Sequence, residues 1–173
     1  YLRAHADRYR IDPQHIGAMG ESAGGYLTCM AALDNDPALD TGAYLEYSSQ
    51  IQAACPWYPP TDASSFHYDD PEQAAAAAES LLMGFNVMRN IKEAEDNSPV
   101  SKVTKDAPPF LIIHGTDDHT VPFEQSEILY EKLTKNGCDV KFIELEGADH
   151  ADMQFFQDEL WNRIIEFFDE KLK

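Results

Sequence analysis

The chain is short of basic residues and of cysteine, and it has no long apolar run. Lys and Arg number 13 against 31 Asp and Glu, a net charge of −18. A field of that sign repels phosphate backbones and anionic lipid head groups, which argues against nucleic-acid and membrane partners. It is indifferent to neutral molecules. No stretch approaches the roughly 20 consecutive apolar residues that cross a bilayer. The three cysteines, Cys29, Cys55 and Cys138, lie in or beside apolar segments with no paired spacing. Buried free thiols are expected, not a disulfide framework or a metal site. Internal repeats and low-complexity linkers are absent, as are a charged-then-apolar leader and a starting Met. This is compatible with a fragment or a processed product; the compartment stays open, with the cytoplasm slightly favoured.

What is present is ordinary for a folded domain. The 173 residues are 43% hydrophobic, enough for one domain over 1–173 that buries about 70% of its unfolded surface. The pattern alternates strands and helices. Strands are expected at 15–19, 51–55 (closed by Pro56), 110–113 and 140–145. Helices are expected at 1–10, up to about 33, 123–136 and 151–173. Alternation of this kind implies parallel pairing in an α/β sheet. Residues 63–98 are the least regular part, either a lid over a pocket or a helical pair covering the sheet edge.

The most informative stretch is Gly20-Glu21-Ser22-Ala23-Gly24. It follows an apolar run and precedes a helix-capable one, the context of a nucleophile elbow. Glycine at 20 and 24 is expected to remove Cβ atoms that would clash across the tight turn. Ser22 would sit at a helix N-terminus, where the free N–H of Ala23 faces a developing oxyanion. A serine hydroxyl needs an imidazole to take its proton, and that imidazole needs an acid on its other nitrogen. In an α/β sheet these groups should follow the carboxyl ends of later strands. The strand at 110–113 runs into His114-Gly115-Thr116-Asp117-Asp118-His119, and the strand at 140–145 runs into Glu146-Gly147-Ala148-Asp149-His150.

The chain resembles the α/β-hydrolase superfamily, in the esterase branch related to bacterial acetyl xylan and feruloyl esterases. More distantly it is similar to the catalytic domain of prolyl oligopeptidases. The motifs are Asp12-Pro13, Gly20 through Gly25, Tyr58-Pro59-Pro60-Thr61-Asp62, Ser98-Pro99, Pro108-Pro109-Phe110, His114-Gly115 through Val121-Pro122, and Gly147 through His150. The resemblance implies Ser22 as nucleophile, Asp118 rather than Asp117 as the acid, and His150 as the base. His114 becomes a structural histidine and His119 an incidental one. Glu21, Trp57, Tyr58 and Val121 are expected to line the substrate site. No metal or cofactor is needed. The implied activity is hydrolysis of small-molecule or glycan esters. A prolyl-oligopeptidase-like peptidase and a non-catalytic interaction module are the alternatives.

Two departures from the family pattern stand out. Asp149 occupies a position usually held by a small residue, so a carboxylate near the His150 ring is expected. The family's earlier strands and the His-Gly-Gly loop that supplies half of its oxyanion hole have no counterpart in these residues. The expected fold is therefore a truncated α/β-hydrolase, a mostly parallel sheet of about four strands with flanking helices. One edge of the elbow strand would need cover, either from a second copy or from an N-terminal half of the fold.

Overall fold

The computed structural model describes residues Tyr1–Lys173. Four strands form one parallel sheet in the order β1 (Gly17–Glu21), β2 (Ala53–Trp57), β3 (Phe110–Gly115) and β4 (Val140–Leu145). Spatial order equals chain order. The helices are α1 (Ala6–Tyr9), α2 (Ala23–Leu33), α3 (Pro71–Ala76), α4 (Ala78–Met83), α5 (Ile91–Asp96), α6 (Glu124–Lys135) and α7 (Asp158–Lys171). No helix is long and apolar enough to cross a membrane.

Two hydrophobic layers explain why the inner strands are buried at every position and apolar at all but His114. Ala54, Phe110 and Ile112 face α2 and α6 through Cys29, Ala32, Leu33, Leu129 and Leu133. Ala53, Cys55, Trp57, Leu111, Ile113 and Ile143 face the other way, toward Phe155 and the α7 residues Leu160, Ile164 and Phe167. A parallel sheet covered on both faces requires such runs. Burial pushes the Cys55 thiol up to about 12 and raises Cys29 as well, so both sulfurs behave as small apolar groups.

Several boundaries differ from the sequence expectation. β1 starts two residues later than expected and carries Gly20 and Glu21 within it. β2 runs through Pro56 instead of stopping there. The amide of Ala54 donates to Pro109, just before β3, and that of Tyr58 to Ile113 on β3. The position between them is the one where proline has no N–H to give, so β2 tolerates Pro56 at the loss of a single ladder bond. The closing segment is a 3₁₀ turn, Met153–Phe156, followed by α7, not one helix from 151. Residues 63–98 hold three short helices instead of a pair. The alanine run breaks at Ala77, whose extended backbone ends α3 and starts α4. These helices enclose a small core of Ala63, Val87 and Ala94 with Tyr68, Met83 and Phe85.

β1 hydrogen-bonds to β2 alone and forms one edge of the sheet. Met19 on that edge is 41% exposed. The face of β1 toward α7 is so close that a Cβ on Gly17 would meet Phe168 at 2.6 Å.

Candidate active site

Ser22 sits between β1 and α2 with φ 53° and ψ −117°. A side-chain-bearing residue seldom adopts this conformation, which costs on the order of 1–3 kcal/mol where it occurs. The turn is held by the Ser22 amide, which donates to the Trp57 carbonyl at 3.0 Å, and by the Tyr26 amide, which donates to the Ser22 carbonyl at 3.0 Å. The serine occupies the N-cap position of α2, yet its hydroxyl caps nothing. It is free for another partner.

The glycines that permit this turn are not the pair expected. A Cβ at Gly20 would lie 2.4 Å from the Gly24 carbonyl oxygen, and one at Gly25 would lie 2.7 Å from the Trp57 carbonyl oxygen. A Cβ at Gly24 would touch nothing within 4 Å. Helix α2 turns Gly25, not Gly24, toward β2.

The partner of Ser22 is His150. Its Nε2 is 3.1 Å from Ser22 Oγ, and its Nδ1 is 2.7 Å from Asp118 Oδ2. The carboxylate has only acceptors, so Nδ1 carries the hydrogen and Nε2 is left to accept from the serine hydroxyl. The Asp118 carboxylate is fully buried while the His150 side chain is 18% exposed. Burial without donors would be costly. Here Oδ1 accepts from the amides of Thr120 and Val121, both at 2.8 Å, and Oδ2 also lies 3.3 Å from His114 Nε2. Asp117 is exposed, and its amide donates to the Ala148 carbonyl at 3.1 Å.

His114 lies wholly inside. Its Nε2 donates to the Val121 carbonyl at 3.0 Å, and its Nδ1 accepts from the Ser126 hydroxyl at 2.7 Å. Burial pulls its pKa below the usual imidazole range, with the Val121 carbonyl and the Asp118 carboxylate opposing. A neutral ring with both nitrogens used braces the loop that carries Asp118.

The remaining expected residues divide. The amide of Ala23 makes no hydrogen bond within the protein, as the first amide of a helix should. Glu21 accepts from the Tyr58 hydroxyl at 2.6 Å. The Tyr58 ring stands 4.5 Å from the His150 ring and 4.6 Å from Phe155, centroid to centroid. Trp57, Tyr58 and Val121 are all buried and do not offer side chains to a substrate. Because β2 extends to Trp57, its indole points into the core, stacked on Phe155 at 5.7 Å and edge-on to Trp161 at 5.5 Å. Val121 is buried and acts through its backbone groups. His119, expected to be incidental, donates its amide to Asp149 Oδ1 at 3.0 Å. The Asp149 carboxylate is engaged by backbone amides instead of by the His150 ring.

Sequence reasoning missed Gln125 and Ser126. Both are buried in the first turn of α6; Gln125 Oε1 accepts from the amides of Thr61 and Asp62 at 2.9 and 2.8 Å. The signal was available, since 125, 126, 129 and 133 share one helical face.

Comparison with known proteins identifies the family and the fold. Residues 1–133 match the BD-FAE family model. The chain is 32% identical over 153 residues to the probable carboxylic ester hydrolase LipM of Mycobacterium tuberculosis, covering 87% of this chain and 35% of LipM. Among solved structures, a truncated form of a carbohydrate esterase from gut microbiota superimposes with a TM-score of 0.87 at 29% identity, covering 99% of this chain and 64% of that one. The thermophilic esterase Est2 of Thermogutta terrifontis superimposes with a TM-score of 0.72 at 29% identity, covering 98% and 58%; it has also been solved phosphorylated by paraoxon. The chain thus spans about a third of the length of the curated relatives it matches. It belongs to the BD-FAE family, with the α/β-hydrolase fold of esterases.

Proposed function

We propose that this chain carries the acyl-transfer centre of a serine carboxylic ester hydrolase. The observation that carries the reading is the unbroken line of hydrogen bonds from Ser22 Oγ through the His150 ring to the buried Asp118. Ser22 Oγ attacks the ester carbonyl carbon while His150 Nε2 takes its proton. The oxyanion forms in reach of the Ala23 amide, which is unoccupied by the protein. His150 then returns the proton to the leaving alkoxide, and the acyl group stays on Ser22. Water, deprotonated by the same nitrogen, releases the acid. Asp118 holds the ring in the required tautomer and stabilises its cationic form. Tyr58 and Glu21 brace the ring and the strand end.

The substrates we propose are short-chain acyl esters, including those borne on polysaccharide, since a structural relative at 29% identity is a carbohydrate esterase. The net charge of −18 suits a neutral ester. A fluorophosphonate probe is expected to label Ser22, identified by peptide mass spectrometry, and the chain is expected to cleave nitrophenyl acetate in preference to a prolyl nitroanilide. A folded chain that takes no label would overturn the reading, and the opposite substrate preference would favour a peptidase.

We further propose that the free edge of β1 pairs with another strand, from a second copy or from polypeptide N-terminal to these residues. An exposed edge with Met19 on it is a template for such pairing. Sedimentation should therefore give a dimer of this chain, or a monomer once the preceding residues are supplied. A monomer of residues 1–173 with undiminished esterase turnover would contradict the proposal.

A further inference from the structure

The acid and the base of the proposed triad come from different loops, residues 116–121 after β3 and residues 146–150 after β4. The two loops are tied together near the sheet. The Gly147 amide donates to Thr116 Oγ1 at 2.8 Å, the Asp117 amide donates to the Ala148 carbonyl, and Gly115 lies against the Ala148 backbone. Farther out, where Asp118 and His150 meet, the tie is a single side chain. Asp149 Oδ1 accepts from the His119 amide at 3.0 Å and from the His150 amide at 2.7 Å, and its Oδ2 lies 3.4 Å from His119 Nδ1. One oxygen therefore binds the residue next to the acid and the base itself. Directly beyond, Ala151 has φ 55° within a turn that the Asp152 amide closes by donating to the Asp149 carbonyl at 3.2 Å; this turn holds the base loop to itself and does not reach the acid loop.

We propose that Asp149 is a positioning residue that clasps the acid loop to the base loop and so fixes the hydrogen bond between Asp118 and His150. The inference rests on the serine hydrolase reading of the triad. Three observations favour a clasp over a stability role. The Asp149 side chain is 56% exposed. It belongs to no core cluster. Both of its short bonds run to amides flanking or belonging to triad residues. The amides of His119 and then of His150 hold its carboxyl below the usual carboxylate range, so the clasp is charged wherever imidazole chemistry operates.

The test compares the whole chain as wild type, Asp149→Asn, Asp149→Ala and His119→Ala. Two quantities are read, the rate of fluorophosphonate labelling at Ser22 and the low-field NMR resonance of the His150 Nδ1 proton. Asparagine keeps Oδ1, so Asp149→Asn is expected to label within about threefold of wild type with its resonance retained. Asp149→Ala is expected to label at least about tenfold more slowly, because small misplacements of reacting groups cost factors of this size. Its resonance should weaken or move upfield while the melting temperature changes little. His119→Ala keeps its backbone amide and should stay within about twofold. If Asp149→Ala fails to fold, Asp149→Ser carries the same expectation. Wild-type labelling with an unaffected Asp149→Ala overturns the clasp alone, as does an asparagine variant as slow as the alanine one. A folded wild type that takes no label overturns the serine reading and the clasp with it.

Discussion

Replacing Ser22 by glycine is expected to abolish ester turnover, by about 10⁴-fold or more, and to make the chain more stable. The first effect follows from removing the proposed nucleophile. The second follows from the backbone. At φ 53° and ψ −117° the Cβ of Ser22 is under strain that glycine does not feel, worth on the order of 1–3 kcal/mol. Against this stands one hydrogen bond to a partly exposed His150, about 1 kcal/mol. Glycine's greater freedom in the unfolded chain takes back about 0.5–1 kcal/mol, so the balance is a gain of up to about 1 kcal/mol. Ser22→Ala is the control, because it removes the hydroxyl and keeps the Cβ. The difference between the two variants in urea midpoint isolates the backbone contribution. A glycine variant less stable than the alanine one would mean that the strain is smaller than the roughly 0.5–1 kcal/mol of chain entropy that glycine costs. The trade of stability for a strained nucleophile is the pattern expected at functional sites.

The second large effect concerns the glycines around that turn. Gly20→Ala would drive a Cβ to 2.4 Å from the Gly24 oxygen and 2.6 Å from its carbonyl carbon. Both are backbone atoms, so no rotamer change gives relief. Gly25→Ala meets the Trp57 oxygen at 2.7 Å and Pro59 at 3.1 Å. Each substitution must push α2 away from the sheet, and we expect a loss of about 3 kcal/mol or more, read as failure to fold or a greatly lowered melting temperature. Gly24→Ala is different in sign. Its site is open and lies in the first turn of α2, where alanine is the better helix former by up to about 1 kcal/mol. Thermal melts of the three variants should therefore separate 20 and 25 from 24. Equal damage at all three positions would show that the close approaches are not what requires glycine.

The contrast among these glycines shows what could be inferred before coordinates. The meeting of Ser22, Asp118 and His150, proposed here as a triad, was legible because each follows a strand and the loops come in the order the chemistry needs. The inner strands were legible as short apolar runs buried on both faces, and β4, at the sheet edge, by its alternation of polar and apolar residues. Which glycine faces β2 depends on the rotation of α2, and no short pattern encodes that angle. Pro56 pointed to the end of a strand, because the lost donor is visible in sequence but the neighbouring bonds that compensate are not. Trp57 looked like a loop residue for as long as β2 was taken to stop before it. Asp149 was expected to face the His150 ring. Its rotamer is decided by two amides, one of them thirty residues earlier in the chain at His119.

Tyr58 carries one more consequence. Its hydroxyl is raised above the usual phenol range, by burial first and then by the bond to Glu21 and the nearby carboxylates. It therefore keeps its proton across the whole interval in which an imidazole gains and loses one. The ring packed against His150 is thus the same neutral phenol on both sides of that change, and the proton that comes and goes there belongs to the imidazole alone.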